Sequence, residues 1–193
     1  YGLAMCYRER GEYARARALL DHGLRSAVQS EGLFEQVRFR IGIGATLLAE
    51  QQVEPATETL EEAVAGAKES GAVREEAIAL FLLAGAHLAG RRRNAAADCL
   101  LTVHSLVSGL GYDQFLTVEA RQVSQLVDFA LSRRELADYY RRLADRIRPR
   151  EDGQAPALPG AFRVRAEAFG GARVAVDGRP IQDVEWRSER SKE

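Results

Sequence analysis

The sequence predicts a mainly α-helical solenoid of about four helix pairs over residues 1–148. A linker, 149–161, and a short β-hairpin segment, 162–193, follow it. Three observations carry this expectation. They are an internal repeat with a period of about 40 residues, a Pro- and Gly-rich stretch after Arg148, and a change of hydrophobic period from helical to alternating beyond it.

The repeat is read by stepping one period at a time from Leu3, Ala4, Tyr7, Gly11, Tyr13, Ala16, Leu20 and Leu24. One step gives Ile43, Gly44, Leu47, Gln51, Val53, Ala56, Leu60 and Val64. Two steps give Leu83, Ala84, His87, Arg91, Arg93, Ala96, Leu100 and His104; three give Val123, Ser124, Val127, Leu131, Arg133, Leu136, Tyr140 and Ala144. The column Ala4, Gly44, Ala84, Ser124 is small throughout, as close helix approach requires. The apolar residues in each unit recur three or four apart, which is helical spacing. Each unit is therefore a helix, a short turn, a second helix and a linking turn. The predicted helices span 1–10, 12–30, 33–50, 55–70, 73–90, 94–109, 114–131 and 133–148.

Gly11, Pro55 as a first helical residue and Asn94 as an N-cap mark the inner turns. Gly32, Gly71 and Gly111 mark the outer ones, each suited to a left-handed helix cap. One helix pair alone leaves an apolar face exposed, and stacking its neighbours buries it. Leu3, Ala4, Tyr7, Gly11, Tyr13, Ala16 and Leu24 resemble the consensus of the tetratricopeptide repeat. The later units match it only in their hydrophobic and small positions. The longer period resembles the helical-repeat region of bacterial MalT-like regulators, large ATPases that sense a signal and activate transcription.

After Arg148, Pro149, Pro156, Pro159, Gly153 and Gly160 interrupt any helix and mark the linker. Phe162, Val164, Ala166 and Ala168 then alternate with Arg163, Arg165 and Glu167, the pattern of a strand with one dry face. A second strand, Arg173 to Val176, runs into Asp177-Gly178, a hairpin signal because such turns need positive φ. Ser188 is a candidate N-cap for a helix that begins near the end of the chain. Phe169, Gly170, Gly171, Val174, Asp177, Gly178, Arg179, Pro180, Trp186, Arg187, Ser188, Arg190 and Lys192 resemble the opening of an OmpR-like winged-helix domain of the SARP (BTAD) type. Ala172 departs from that pattern, where the family has an aromatic or larger apolar residue. The resemblance implies a truncated winged helix whose recognition helix lies beyond Glu193. No DNA-binding residue can be assigned on it, and sequence-specific DNA binding is expected only of the full-length protein.

Composition narrows the function classes. The chain has 193 residues, a formal net charge of -1 and two cysteines, Cys6 and Cys99. It is no polycation for nucleic acid or membrane, and it has no disulfide framework. No apolar run nears the ~20 residues of a membrane span. The expectation is a cytoplasmic protein that makes no membrane contact, read here as a piece of a longer one. His22, His87 and His104 are the histidines; His87 and His104 fall in core columns and are expected to be packed or partly buried rather than ligands or switches. Cys6 and Cys99 are expected to be small core residues. Gly42-Ile43-Gly44 lacks the strand and third glycine of a dinucleotide site, so it is expected to serve close helix packing.

The basic run Arg91-Arg92-Arg93 and the basic helix after Leu131 read as solvated faces, with pairs such as Asp138–Arg142 worth about 0.2–0.5 kcal/mol each. The sharper alternative is a patch near DNA phosphates. No catalytic set, metal site or cofactor is expected. The functional expectation is the sensor and protein-interaction arm of a signal-responsive transcriptional regulator. Its groove, on the first helices of the pairs, would receive a small inducer, a peptide or another domain. The alternative is a tetratricopeptide-like scaffold not involved in DNA binding. The open edge of the C-terminal hairpin also allows a dimer.

Overall fold

The computed structural model describes residues 1–147, 164–167, 173–177, 179 and 180. By its contacts the chain divides into two compact units, Tyr1–Arg148 and Pro149–Glu193.

The first unit is helical. Its elements are α1 (Gly2–Glu9), α2 (Tyr13–Gln29), α3 (Leu33–Ala49), α4 (Val53–Glu69), α5 (Val73–Ala89), α6 (Arg93–Leu110), α7 (Leu116–Gln122), α8 (Ser124–Leu131) and α9 (Ala137–Ile147). From α1 to α6 each helix packs on the next, in the manner of a helical repeat. The geometric step is half the sequence period. Helices α2 to α5 are 17 residues each and are joined by short turns, so new helices start at Tyr13, Leu33, Val53, Val73 and Arg93.

Those turns share one hydrogen-bond scheme. The left-handed residues are Gly11, Glu31, Gln51, Gly71 and Arg91, and Gly111 follows at the same spacing. After α1, Gly11 N–H donates to the Arg8 carbonyl and Glu12 N–H to the Tyr7 carbonyl. The same two bonds recur after α2, α3, α4 and α5, ending with Arg91 to Leu88 and Arg92 to His87. This is the Schellman arrangement, which satisfies carbonyls left over at a helix end. The next residue (Glu12, Gly32, Gln52, Ala72 or Arg92) is also the N-cap of the following helix, and it accepts that helix's first backbone bond through its own carbonyl.

Three turn assignments change accordingly. Glu31, not Gly32, takes the left-handed position; Gly32 has φ -76. Helix α4 starts at Val53, so Pro55 is its third residue, where its missing N–H is still among the unbonded ones. The N-cap of α6 is Arg92 rather than Asn94. None of these N-caps from α2 to α6 uses a side-chain hydrogen bond, so the preference for Asn was no guide.

The repeat columns are the core. Ala16, Ala56, Ala96 and Leu136 are buried, as are Leu20, Leu60, Leu100 and Tyr140. The Tyr140 hydroxyl donates to the carbonyl of Leu100, its counterpart one period earlier, at 3.2 Å. The GxG reading as packing holds. A Cβ on Gly42 would lie 2.7 Å from a Leu20 methyl, and one on Gly44 would lie 2.5 Å from Leu60 Cγ. Leu3 departs from its column. It is 60% exposed, whereas Ile43 and Leu83 are buried, because no described helix pair stacks on that side of α1. Cys6, one turn further, is exposed as well rather than a core residue.

The rhythm fails three times in the fourth unit. Helix α6 runs to Leu110, and a longer loop delays α7 until Leu116. The helix expected over 114–131 is then interrupted at Val123, φ -116 and ψ 46, giving α7 and α8. The last helix starts at Ala137, later than the expected 133, after turns over Ser132–Leu136.

In the second unit, β1 (Val164–Glu167) pairs antiparallel with β2 (Arg173–Val176), from Val164↔Val176 to Glu167↔Arg173. β2 pairs with β3 (Arg179–Pro180) through Ala175↔Pro180 and Val176↔Arg179. Asp177 has φ 51. The linker 149–161, Phe169–Gly171, and the segment with Trp186 and the expected Ser188 cap lie outside the described residues.

Candidate ligand-binding cleft

The first helices of the pairs, α3, α5 and the α7–α8 break, enclose a cleft of about 560 Å³. Its walls come from repeat columns. Ala45, Gly85 and Gln125 form one column; Leu48 and Leu88 form the next; Ala49 and Ala89 form a third. Small residues one helical step apart keep the floor low. A Cβ on Gly85 would already lie 3.3 Å from Leu48 and 3.4 Å from Val123. Where the columns reach the fourth unit they turn polar, with Gln122, Ser124 and Gln125 beside Val123 and Leu126. Gln51 adds one more amide from the turn after α3. Among the described residues that line it, none carries a charge. The cleft therefore offers apolar surface and a rim of neutral hydrogen-bonding groups, and its volume lies within the usual ~300–1,000 Å³ of small-molecule sites.

The helix break is tied to α1. Arg8 Nη2 donates to Glu119 Oε2 at 3.1 Å, and their side chains are only 2% and 8% exposed. One turn on, Gln122 Nε2 donates to Glu9, so a residue of the cleft rim is held by α1. Breaking at Val123 lets α7 turn Glu119 toward Arg8, while α8 keeps Val127 buried in the column of Leu47. Arg8 Nε and Nη1 are buried without hydrogen bonds. Burial, and then the Glu119 carboxylate, raises the Tyr1 phenol above its ordinary pKa against the pull of Arg8, Arg38 and Arg74.

Neither charge had a local motif, but both break their columns. Arg8 stands where Leu48 and Leu88 stand, in a column that Asp128 closes, and Glu119 stands where Phe39 and Ala79 stand. A charged residue aligned with apolar ones in neighbouring units was the signal available for this pair. No sequence signal marked the break, because Val123-Ser124 contains neither Gly nor Pro.

The chemical suspects are scattered. His22 is exposed, while His87 and His104 are half-buried on different helices. The His87 Nδ1 is buried and unbonded, and burial followed by nearby Arg92 lowers its pKa. Cys99 is half-buried, and burial, with Asp98 and Glu61 adding, pushes its thiol up to about 11. Among the described residues no group of three or more His, Cys, Asp or Glu is placed to hold a metal ion. No helix among them is long and apolar enough to cross a membrane.

No protein-family model matches this chain, and no curated protein or solved structure is similar to it at a significant level.

The basic run is solvent-exposed, as expected of a solvated face, and its residues also make specific contacts. Arg91 takes the left-handed turn position, and Arg92 Nη2 donates to the Thr57 hydroxyl at 2.8 Å. Arg93 lies over the Phe129 ring at 5.0 Å, with Arg133 5.2 Å from the same ring. On the last helix Asp138 pairs with Arg141, three residues on, not with Arg142.

Proposed function

We propose that residues 1–147 are the ligand-receiving arm of a signal-responsive transcriptional regulator, a tetratricopeptide-like solenoid whose first-helix cleft binds the signal. The single observation carrying the binding role is the uncharged 560 Å³ cleft where α3, α5 and the α7–α8 break converge. Its chemistry selects an uncharged, amphiphilic molecule. Apolar atoms would lie on Leu48, Leu88 and the alanines, and polar atoms would meet Gln51, Gln122, Ser124 and Gln125. The regulator assignment rests on the resemblance of Phe169–Lys192 to the opening of a winged helix of the SARP type. The antiparallel order of β1 to β3, and the positive φ at Asp177 ahead of Gly178-Arg179-Pro180, agree with that resemblance. A ligand would act only through a difference in affinity between two arrangements of the repeats.

The test is a thermal-shift screen of uncharged amphiphilic compounds against the chain and its Ser124→Glu variant. Ser124 is exposed and opens α8, where a carboxylate favours the helix. It would nevertheless put an unpaired charge into a neutral site. Compounds that raise the wild-type Tm should lose at least about tenfold in affinity for the variant, the cost of ~1.4 kcal/mol. Equal affinity for both proteins, or no compound that binds, would refute the assignment.

A further inference from the structure

Another interruption of the helical rhythm, the loop between α6 and α7, makes a second hollow of about 450 Å³ against α9. Its character is opposite to that of the cleft. Asp113, in the loop, is clamped by Arg146 of α9, Nη1 to Oδ1 at 2.6 Å and Nη2 to Oδ2. The fork occupies both carboxylate oxygens and cancels the charge, and its hydrogen bonds hold the Asp113 pKa below its ordinary value. Two further groups on α9 line the hollow. Tyr139 is only 8% exposed, and its hydroxyl is buried without a hydrogen bond. The Asp113 carboxylate is its nearest acceptor and acts on its proton equilibrium by charge and as a weak hydrogen-bond partner, but the hydroxyl makes no hydrogen bond of ordinary geometry. Burial, reinforced by that carboxylate, raises the phenol's pKa, so it keeps its proton and remains a donor. Arg142 is the second group. It makes no ion pair among the described residues, although its charge lies near enough to act on Asp113 and Tyr139. Tyr112, 45% exposed, stands at the rim with its ring edge-on to Phe115.

A buried donor without a well-formed hydrogen bond is costly, and an unpaired guanidinium beside it calls for an oxyanion. We propose that this hollow binds a small organic oxyanion, a carboxylate or phosphate ester, between the Arg142 guanidinium and the Tyr139 hydroxyl, with the ligand's apolar body against Tyr112. Arg146 and Asp113 are positioning residues that neutralise each other and fix the loop. The site uses none of the residues of the uncharged cleft.

The experiment is an NMR titration of the full chain with benzoate and with phenyl phosphate, using benzamide as the uncharged control of the same shape. At least one oxyanion should bind and shift resonances of the Gly111–Phe115 loop and α9, while benzamide should not. Arg142→Gln, an exposed substitution, should weaken binding about tenfold, the worth of one charge-assisted hydrogen bond. Tyr139→Phe, which removes only an unbonded hydroxyl, should weaken it several-fold, and Ser124→Glu should leave it unchanged. Failure of both oxyanions to bind, equal binding of benzamide, or undiminished affinity in Arg142→Gln would each overturn the proposal. The balance between benzoate and phenyl phosphate separates a carboxylate site from a phosphate site.

Discussion

Glu31 and Arg91 occupy a backbone conformation that glycine adopts freely and other L-residues adopt at a cost of roughly 1–2 kcal/mol. Equivalent turns use Gly11 and Gly71, around which a Cβ would meet nothing within 4 Å. The turn geometry therefore tests backbone strain without packing effects. Glu31→Gly and Arg91→Gly should each stabilise the chain by about 0.5–1 kcal/mol, after the added unfolded-state freedom of glycine is subtracted. Gly71→Ala should destabilise it by about 1 kcal/mol. Urea melts of the three variants check this, and the opposite order of stabilities would show that the turns are not under this strain. At this scale the sequence was half legible. Glycine announced the left-handed position at 11, 71 and 111, but the backbone can impose it on Glu31, Gln51 and Arg91, where no residue type signals it.

At the scale of the helices, the columns of small and apolar residues foretold which faces pack. Gly44 makes the point quantitatively. It sits where a Cβ would come within 2.5 Å of Leu60, a fully buried side chain with nowhere to move. Gly44→Ala gains about 1 kcal/mol of helix propensity but forces α3 and α4 apart, an overpacking cost of about 1–3 kcal/mol. A net loss of up to about 2 kcal/mol in a denaturant melt is the expected outcome. Gly85→Ala should be nearly neutral, because the same gain of about 1 kcal/mol in helix propensity offsets the mild crowding of a 3.3 Å contact with Leu48. Helix existence was readable because period and spacing persist from α1 through α6. The break at Val123 was not, because α7 answers to distant contacts with α1. Arg8 and Glu119 lie 111 residues apart, and only their alignment with apolar residues of neighbouring units hinted that they meet.

At the scale of the molecule, this pair joins the first helix pair to the fourth. Removing one member of a buried ion pair strands its partner, at a cost of about 3–5 kcal/mol, whereas replacing both by apolar groups is often near neutral. Arg8→Leu and Glu119→Met should therefore each destabilise the first unit strongly, and the double variant should recover most of the loss. Additive losses in a double-mutant cycle would mean that the two residues act separately. The candidate sites were legible only in outline. The first-helix face could be anticipated from the repeat, but both hollows lie where the rhythm fails, and a repeat pattern does not foretell its own interruptions.

The central claim is that the interruption at Val123 makes the first-helix face a receptor. It is tested most directly by mapping amide chemical shifts of the full chain as the tightest uncharged ligand from the thermal-shift screen is added. Perturbations should centre on Leu48, Gly85, Leu88, Ser124 and Gln125. Perturbations confined to the outer faces of the second helices, around Val28 and Leu101, or to residues 164–180, would contradict it.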